Sequence, residues 1–296
     1  MANRSRRLVY LLATFVLVAG AIAAGATLLT GDSDPQTSSL AADDPGPLHV
    51  HGLGRNPRDG TLFIATHTGI WRLSTNSAIA ERVSPSRQDT MGFTVVGADR
   101  FLGSGHPDVR DATRGLPPLL GLIESRDAGR SWTNVSLLGR ADFHVLRATG
   151  KRIYGIDSPS GMLLVSSDLG KTWSERRVPA PVVDLVPHPQ RPKVVLASTE
   201  RGLHRSTDAG ETWSRVGEGV GLLAWPRPNR LYLVSQEGQV FGSPDEGARW
   251  RRAGTLPGAP SAVLGAGPRD LYAALHDSAI AHSQDGGVSW VIRSRP

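Results

Sequence analysis

Histidine and aspartate residues recur in the first half of this 296-residue chain, in short segments at the ends of apolar stretches. The histidines are candidate ligand-binding residues and the aspartates are candidate catalytic residues. Neutral imidazole and carboxylate groups bind divalent transition metals such as Zn²⁺, and two carboxylates can act as acid and base on a glycoside. A polar rim that only hydrogen-bonds its own loops is the third interpretation. The residues are His49, His51, His67, His106 and His144, with Asp89, Asp142 and Asp157.

An eight-residue motif indicates which elements position these side chains. Ser-x-Asp-x-Gly-x-(Ser/Thr)-Trp occurs five times, and only Arg249 departs from its seventh position. Successive motif tryptophans are 41, 40, 37 and 40 residues apart. A fixed period of this size is typical of repeat architectures. The copies end at Trp132, Trp173, Trp213, Trp250 and Trp290.

Each part of the motif has a role in a tight turn between two strands. We expect the aspartate to accept hydrogen bonds from backbone N–H groups a residue or two ahead, and the glycine to supply a positive φ. The tryptophan should open the next strand and pack between neighbouring repeats. The motif aspartates are therefore predicted to be structural: Asp127, Asp168, Asp208, Asp245 and Asp285.

Six copies of a four-strand pattern follow one another from about residue 47 to the end of the chain. Apolar second strands are predicted at 62–66, 101–105, 153–157, 194–198, 231–235 and 271–275. Four short strands at a period near 40 predict an all-β, six-bladed β-propeller over residues 48–296. The first copy lacks the motif but begins with its own inner strand, so we expect ring closure without a strand swap. An insertion from His106 to Pro118 is predicted to be a lid or a partner-binding loop.

Strand direction predicts where the polar residues meet. In a four-strand blade, the loop before the first strand and the loop between the second and third lie on one face, where propellers usually bind ligands. All eight candidate residues map to this face of blades one to three, with His51, His67, His106 and His144 as the metal-ligand candidates. His276 occupies such a loop in blade six, beside blade one. We interpret the remaining histidines as structural: His188, His204 and His282.

Residues 1–30 are predicted to be a signal peptide or a transmembrane anchor, and the two alternatives stay open. Arg4, Arg6 and Arg7 precede an uncharged run over residues 8–29, and a helix of that length spans about 33 Å, enough for a bilayer core. Positive charge before the segment places the rest of the chain outside the cytoplasm. We therefore expect a single-pass membrane protein with an extracytoplasmic propeller, or a secreted one, with residues 31–47 as a flexible linker.

Composition excludes several classes of site. The chain has no cysteine, which rules out disulfides, thiolate metal sites and a cysteine nucleophile. The net charge is +6, but three of the 33 basic residues precede every acidic residue, and the remaining 30 face 27 acidic ones. This balance is too weak for a nucleic-acid footprint. We expect a monomer whose ligand is a metal ion, a glycan or a partner protein.

The repeated motif resembles the Asp-box (BNR) repeat of sialidase-like propellers, and the resemblance covers the chain from about residue 47. HVHGL (49–53), ATHTG (65–69), MGF (91–93), SGHP (104–107) and DFH (142–144) also look like a bacterial membrane-anchored family labelled glycosylhydrolase. Asp-box blades occur in sialidases, other glycoside hydrolases, sortilin-type receptors and a photosystem II assembly factor. The resemblance therefore implies a propeller and leaves three functions open: a ligand-binding module, a glycoside hydrolase, and a structural assembly factor.

Sialidase chemistry itself is not implied. Sialidases use an arginine triad, an acid/base aspartate and a Tyr–Glu nucleophile pair, with the first arginine in an x-Arg-x-Pro motif. Gly54–Pro57 fits that motif, but it lies in a turn on the opposite face. The propeller tyrosines, Tyr154, Tyr232 and Tyr272, all fall within second strands. No Tyr–Glu pair is evident, so any enzymatic activity would be that of another glycoside hydrolase.

Overall fold

The computed structural model describes residues 44–296, which form a six-bladed, all-β propeller. Each blade is one antiparallel sheet of four consecutive strands, and the first strand of each blade contacts those of its neighbours around the ring. The predictions for residues 1–30, and for most of the linker, lie outside the described residues. No helix in the described part of the chain is long and apolar enough to cross a membrane.

The bounds of the strands follow the predicted period. Blades 1 to 3 contain β1 (Val50–Arg55), β2 (Leu62–Thr66), β3 (Gly69–Leu73), β4 (Glu81–Arg82); β5 (Asp89–Gly97), β6 (Arg100–His106), β7 (Leu122–Ser125), β8 (Thr133–Ser136); and β9 (Phe143–Thr149), β10 (Arg152–Asp157), β11 (Leu163–Ser166), β12 (Ser174–Arg176). Blades 4 to 6 contain β13 (Val182–Pro187), β14 (Val195–Thr199), β15 (Gly202–Ser206), β16 (Ser214–Gly217); β17 (Leu222–Arg227), β18 (Arg230–Val234), β19 (Gln239–Ser243), β20 (Arg251–Thr255); and β21 (Pro260–Gly265), β22 (Leu271–Leu275), β23 (Ile280–Ser283), β24 (Val291–Ser294).

The insertion in blade 2 contains a short helix that the sequence did not predict, α1 (Val109–Thr113). Asp108 caps it by accepting a hydrogen bond from the backbone N–H of Asp111, which compensates an otherwise unpaired donor at the helix start. The same carboxylate accepts weaker bonds from Ser86 Oγ and Arg87 N at 3.3 and 3.4 Å. These bonds connect the insertion to the segment before β5.

The five motif copies form turns that share one hydrogen-bond pattern. In the copy at Ser166–Trp173, Asp168 Oδ1 accepts from the backbone N–H of Thr172 at 3.0 Å, while Oδ2 accepts from its hydroxyl at 2.7 Å. The expectation of bonds one or two residues ahead is therefore wrong, because the acceptor reaches three and four residues ahead. Leu169 and Gly170 both have positive φ, at 64° and 84°. The turn thus needs two left-handed residues rather than the single glycine that we expected.

Six apolar clusters, one at each junction between blades, make up the core. Each motif tryptophan packs half-buried against the cluster that joins its own blade to the preceding one. Trp71 serves the junction of blades 6 and 1, although it belongs to β3 and not to a motif. The fourth strands begin one residue after the tryptophan and not at it. The repeat therefore holds the ring together by side-chain packing between sheets.

Ring closure uses no strand swap, as we predicted from the strand order. Blade 1 contains only β1 to β4 and blade 6 only β21 to β24. Apart from the shared apolar cluster, Arg293 in β24 donates hydrogen bonds to the carbonyls of Thr75 and Ser77 at 2.6 and 3.2 Å. An ion pair between Arg55 and Asp270, 3.8 Å apart, spans the same junction.

Candidate functional site

β-Bulges at corresponding points of the inner strands direct side chains into the mouth of the central channel. His51 is the extra residue between the pairs Val50–Thr66 and Gly52–Ala65 of blade 1. His144 is the extra residue at the corresponding point of blade 3. A bulge bends the strand and re-aims the side chain that it carries, and both imidazoles line the central cavity. Met91 occupies the same bulged position in blade 2.

His51, His67 and Asp89 form the tightest group of potential metal ligands in the described part of the chain. One ligand atom of each lies within 4.8 Å of the others. His67 Nδ1 is 2.7 Å from Asp89 Oδ2, and His51 Nε2 is 3.6 Å from Asp89 Oδ1. The His51 and His67 rings meet edge to face at 4.6 Å. His51 Nε2 and Asp89 Oδ1 are both buried and have no hydrogen-bond partner.

Burial lowers the pKa of His51 and raises the pKa of Asp89. Desolvation, together with the nearby His67, His144 and His49, lowers the pKa of His51 to about 3. Burial raises the pKa of Asp89 above its usual value, although His67 beside it partly offsets the increase. The His51 ring is therefore neutral at physiological pH and keeps a lone pair for a cation.

Asp142, His106 and His144 form a second group beside the first. Asp142 Oδ2 lies 2.9 Å from His144 Nε2 and 3.5 Å from His106 Nε2. The side chain of Asp142 is only 5% exposed, and its Oδ1 is buried without a hydrogen-bond partner. Both Asp142 and His106 act on the pKa of Asp89. The two groups are thus electrostatic neighbours, as predicted from their common face.

The backbone around Asp142 is fixed by two side-chain acceptors, Asp157 and Ser104. Asp157 Oδ1 accepts from the N–H of Asp142 at 2.9 Å, and its Oδ2 accepts from both the hydroxyl and the N–H of Ser160. Ser104 Oγ, fully buried in blade 2, accepts from the N–H of Phe143. Asp157 therefore lies next to the site, as predicted, but both of its oxygens bond to its own blade and position Asp142.

Two glycines permit close backbone approaches at the site, Gly105 between β6 and β5 of blade 2 and Gly92 between blades 2 and 3. Gly105 has a φ of 142°, and a Cβ on it would lie 2.1 Å from the carbonyl oxygen of Asp89. A Cβ on Gly92 would lie 2.4 Å from the carbonyl oxygen of Phe143. Only glycine fits such positions, so the placement of Asp89 and Asp142 depends on both.

The central channel below the site is a cavity of about 430 Å³ whose lining is partly apolar. It contains an ion pair that the sequence did not indicate: Arg147, which is partly exposed, donates to the buried Asp184 Oδ1 at 2.8 Å. Asp184 also accepts from the N–H groups of Leu185 and Leu223. The sequence feature that could have indicated this pair is a charged residue, Asp184, in the middle of an otherwise apolar inner strand. It fastens the inner strands of blades 3, 4 and 5 to one another.

Among the remaining histidines of residues 44–296, His49 approaches the site, and His276, which the sequence placed in a loop of the same face, does not. His49 is exposed, has a φ of 52°, and its ring lies 5.2 Å from that of His67, at the edge of the site. His276 is exposed, and no side-chain hydrogen bond or ion pair joins it to the site within residues 44–296. The other three make contacts that stabilise their own turns and sheets: His188, His204 and His282.

The tyrosines and Arg55 have roles outside the site. The hydroxyls of Tyr154 and Tyr232 donate to the carbonyls of Pro192 and Pro268, each in a turn of the following blade. Tyr272 stacks on His282 at 4.1 Å. Arg55 ends β1 on the face opposite the histidines.

Comparisons with known proteins agree with the fold. The family model of sortilin, neurotensin receptor 3, matches residues 121–230, which is less than half of the chain. No curated protein matches the sequence. A GH74 xyloglucanase from Xanthomonas campestris superposes with a TM-score of 0.55 at 18% identity, over 83% of this chain and 45% of its own. This chain thus spans less than half of that enzyme.

Two further solved structures are similar at comparable identity. The nidogen/laminin complex gives a TM-score of 0.59 at 15% identity, covering 75% of this chain and 88% of that one. YCF48 from Cyanidioschyzon merolae gives 0.50 at 12% identity, covering 84% and 85%. At these identities the similarity shows a common propeller fold, and functional conclusions depend on the site itself.

Proposed function

We propose that this protein binds a divalent transition-metal ion, of which Zn²⁺ is the model, through His51, His67 and Asp89. The ion would lie at the mouth of the central channel, where blades 1 and 2 meet. Two imidazoles and one carboxylate form a ligand set that suits zinc and leaves a coordination position open. A glycan or protein ligand would then approach the ion from the exposed face.

One observation carries this proposal. His51 Nε2 and Asp89 Oδ1 are buried, unpartnered and 3.6 Å apart. That separation is too long for a hydrogen bond but close to the roughly 3.3 Å between two ligand atoms of a tetrahedral zinc ion with bonds of about 2.0–2.2 Å. Leaving both polar atoms unsatisfied would cost about 1–3 kcal/mol each. A cation between them removes that cost.

The test is a metal titration of the full-length chain, purified without a histidine tag and stripped with a chelator. Zn²⁺ should bind and raise the thermal midpoint, because a ligand that binds only the folded state stabilises it. His51→Ala should weaken Zn²⁺ binding by at least about 100-fold, the upper range for loss of an outer-shell contact. His276→Ala, an exposed histidine outside the site, is the matched control. Absence of Zn²⁺ binding to the unsubstituted protein would overturn the proposal.

We extend the proposal to the placement of the propeller in the cell. Residues 1–30 would tether it to the membrane, or direct its secretion, with the metal site outside the cytoplasm; the charge pattern around the apolar run supports this. The five turns are proposed to be Asp-boxes, an assignment supported by their shared hydrogen bonds. Fractionation with a protease-accessibility assay on intact cells tests the location: a protected, soluble propeller would contradict it.

Glycoside hydrolysis is the second candidate, and one observation favours it. Burial raises the pKa of Asp89, which suits a general acid, and Asp142 lies close enough to contribute to that increase. Xyloglucan is the first substrate to test, given the fold of the xyloglucanase. Release of reducing sugar in the presence of chelator, abolished in both Asp89→Asn and Asp142→Asn, would establish this function and displace the metal site.

A further inference from the structure

Each of the two groups contains a His–Asp pair, and the second pair is a copy of the first, displaced by one blade. His67 follows the second strand of blade 1 and pairs with Asp89 at the start of blade 2. His106 ends the second strand of blade 2 and pairs with Asp142 at the start of blade 3. The repeat thus places a histidine of one blade against an aspartate of the next at two successive junctions.

The third member of each group breaks this symmetry, because a shift of one blade takes His51 to Met91, whereas His144 belongs to the same blade as Asp142. His51 and His144 are the bulged residues of the inner strands in blades 1 and 3, and each approaches the aspartate of its own group. Every ligand type of the first group is therefore present in the second. Both groups also have one buried carboxylate oxygen without a hydrogen-bond partner, Asp89 Oδ1 and Asp142 Oδ1.

The hydrogen bonds of His106 leave its second nitrogen facing a carboxylate. Its Nδ1 lies 2.8 Å from the carbonyl oxygen of Pro118, which can only accept, so Nδ1 carries the proton. In the neutral ring Nε2 is then an acceptor, yet it faces Asp142 Oδ2 at 3.5 Å. Two acceptors at this distance repel each other unless a cation lies between them. A backbone carbonyl that fixes the tautomer is also the usual outer-shell partner of a metal-bound histidine.

We infer that a second divalent cation binds beside the first, held by Asp142, His106 and His144. Asp142 Oδ2 lies 3.5 and 2.9 Å from the two imidazole nitrogens, near the roughly 3.3 Å between ligands of a tetrahedral ion. Unlike the first group, the three residues do not place one ligand atom each within 4.8 Å of the others. Binding of a common ion therefore requires the His144 ring, which is 42% exposed, to turn toward His106, whose Nδ1 bonds to the Pro118 carbonyl. This inference rests on the proposed function, since it makes that centre one of a pair.

The insertion between β6 and β7 acquires a role in this arrangement. Its last residue, Pro118, supplies the carbonyl that orients His106. Its helix cap, Asp108, bonds to Ser86 and Arg87, just before the strand that begins with Asp89. The insertion therefore supports both groups from outside and is the segment best placed to control access to the ions.

The experiment is a count of bound ions. Full-length, untagged protein is stripped with chelator, dialysed against micromolar Zn²⁺ and measured by elemental analysis. We expect two Zn²⁺ per chain, one in His67→Ala, one in His144→Ala, and none in the double variant. His276→Ala should retain two. Because His144→Ala can disturb β9, His144→Gln is measured in parallel, with circular dichroism and thermal unfolding to verify folding.

Each other outcome has a distinct meaning. A single Zn²⁺ that is lost in His67→Ala but retained in His144→Ala overturns the second centre and leaves the proposed function intact. A single Zn²⁺ lost in both variants indicates one ion shared by the two groups, which also overturns the inference. No Zn²⁺ in the unsubstituted protein overturns both proposals.

Discussion

His51 in blade 1 and His144 in blade 3 occupy the same bulged position at the top of their inner strands. In blades 4 and 6 the bulged residues are Val183 and Ser261, which also line the channel but carry no ligand for a transition metal. The bulge is therefore common to several blades, while the candidate ligands are confined to blades 1 to 3. A repeat architecture supplies equivalent positions, and the residue types at a few of them distinguish the His/Asp cluster from the rest of the channel.

Gly105 should be indispensable for the placement of Asp89. Gly105→Ala introduces a Cβ at 2.1 Å from the Asp89 carbonyl oxygen, at a φ of 142°, and we expect a loss of at least about 2 kcal/mol in the free energy of unfolding. Zn²⁺ binding should weaken as well. Gly150→Ala is the control, because its φ is 58° but nothing lies within 4 Å; it should cost about 1 kcal/mol without affecting Zn²⁺. Equal effects of the two substitutions on Zn²⁺ would contradict the prediction.

The His51 ring should remain neutral far into the acid range in the metal-free protein. Its folded pKa of about 3 is below the unfolded value of 6.5, so the unfolded chain binds a proton that the folded chain does not. The free energy of unfolding should therefore decrease as the pH falls from 6.5 towards 3, and the decrease should be smaller in His51→Gln. NMR of the ring gives the direct measurement: a titration midpoint near 6.5 would show that the ring is not desolvated.

The sequence predicted the ring well, because the repeated motif and the apolar second strands are local patterns. It also placed the histidines and aspartates on one face, since that follows from strand direction alone. It did not indicate the bulges at His51 and His144, because an extra residue changes register only relative to its partner strand. Nor did it reveal that Asp157 bonds to the N–H of Asp142, since this depends on side-chain geometry across two strands.

The role of Pro118 was also beyond the sequence. The contact to His106 uses the backbone carbonyl of Pro118, and every residue type carries such a carbonyl. The sequence also predicted the whole insertion to be a loop and missed the short helix α1. The motif turns were predicted in kind but not in detail. Leu169 adopts a left-handed conformation because of the hydrogen bonds to Asp168. The conformational preferences of leucine do not predict it.

The motif turns should make the propeller sensitive to acid. The hydroxyl and backbone N–H donors of each turn hold the pKa of Asp168, Asp208 and Asp285 well below the ordinary value of 3.8. A lowered folded pKa contributes stability above the unfolded pKa, and this stability is lost as the pH falls through the folded pKa. Asp168→Asn should therefore lower the thermal midpoint at pH 7, and the difference from the unsubstituted protein should shrink below about pH 4.

The control for this measurement is Glu175→Gln, which removes the same charge from an exposed position just after the same turn. It should change the thermal midpoint little at any pH. A constant difference between Asp168→Asn and the unsubstituted protein from pH 7 to pH 3 would show that the carboxylate charge contributes nothing to the turn.

The junction between blades 6 and 1 should be the first part of the ring to open. It lacks a motif turn in blade 1 and a shared strand, and Arg293 supplies its hydrogen bonds to the carbonyls of Thr75 and Ser77. Arg293→Ala should cost about 1–3 kcal/mol, the range for removing a charged donor. Hydrogen exchange should then accelerate in β1 and β24 but not in β13, on the opposite side of the ring. The control is Arg295→Ala, which removes only an exposed ion pair at 3.6 Å and should cost less than about 1 kcal/mol. If Arg293→Ala instead accelerates hydrogen exchange equally in all six blades, the ring unfolds as one unit and the prediction is wrong.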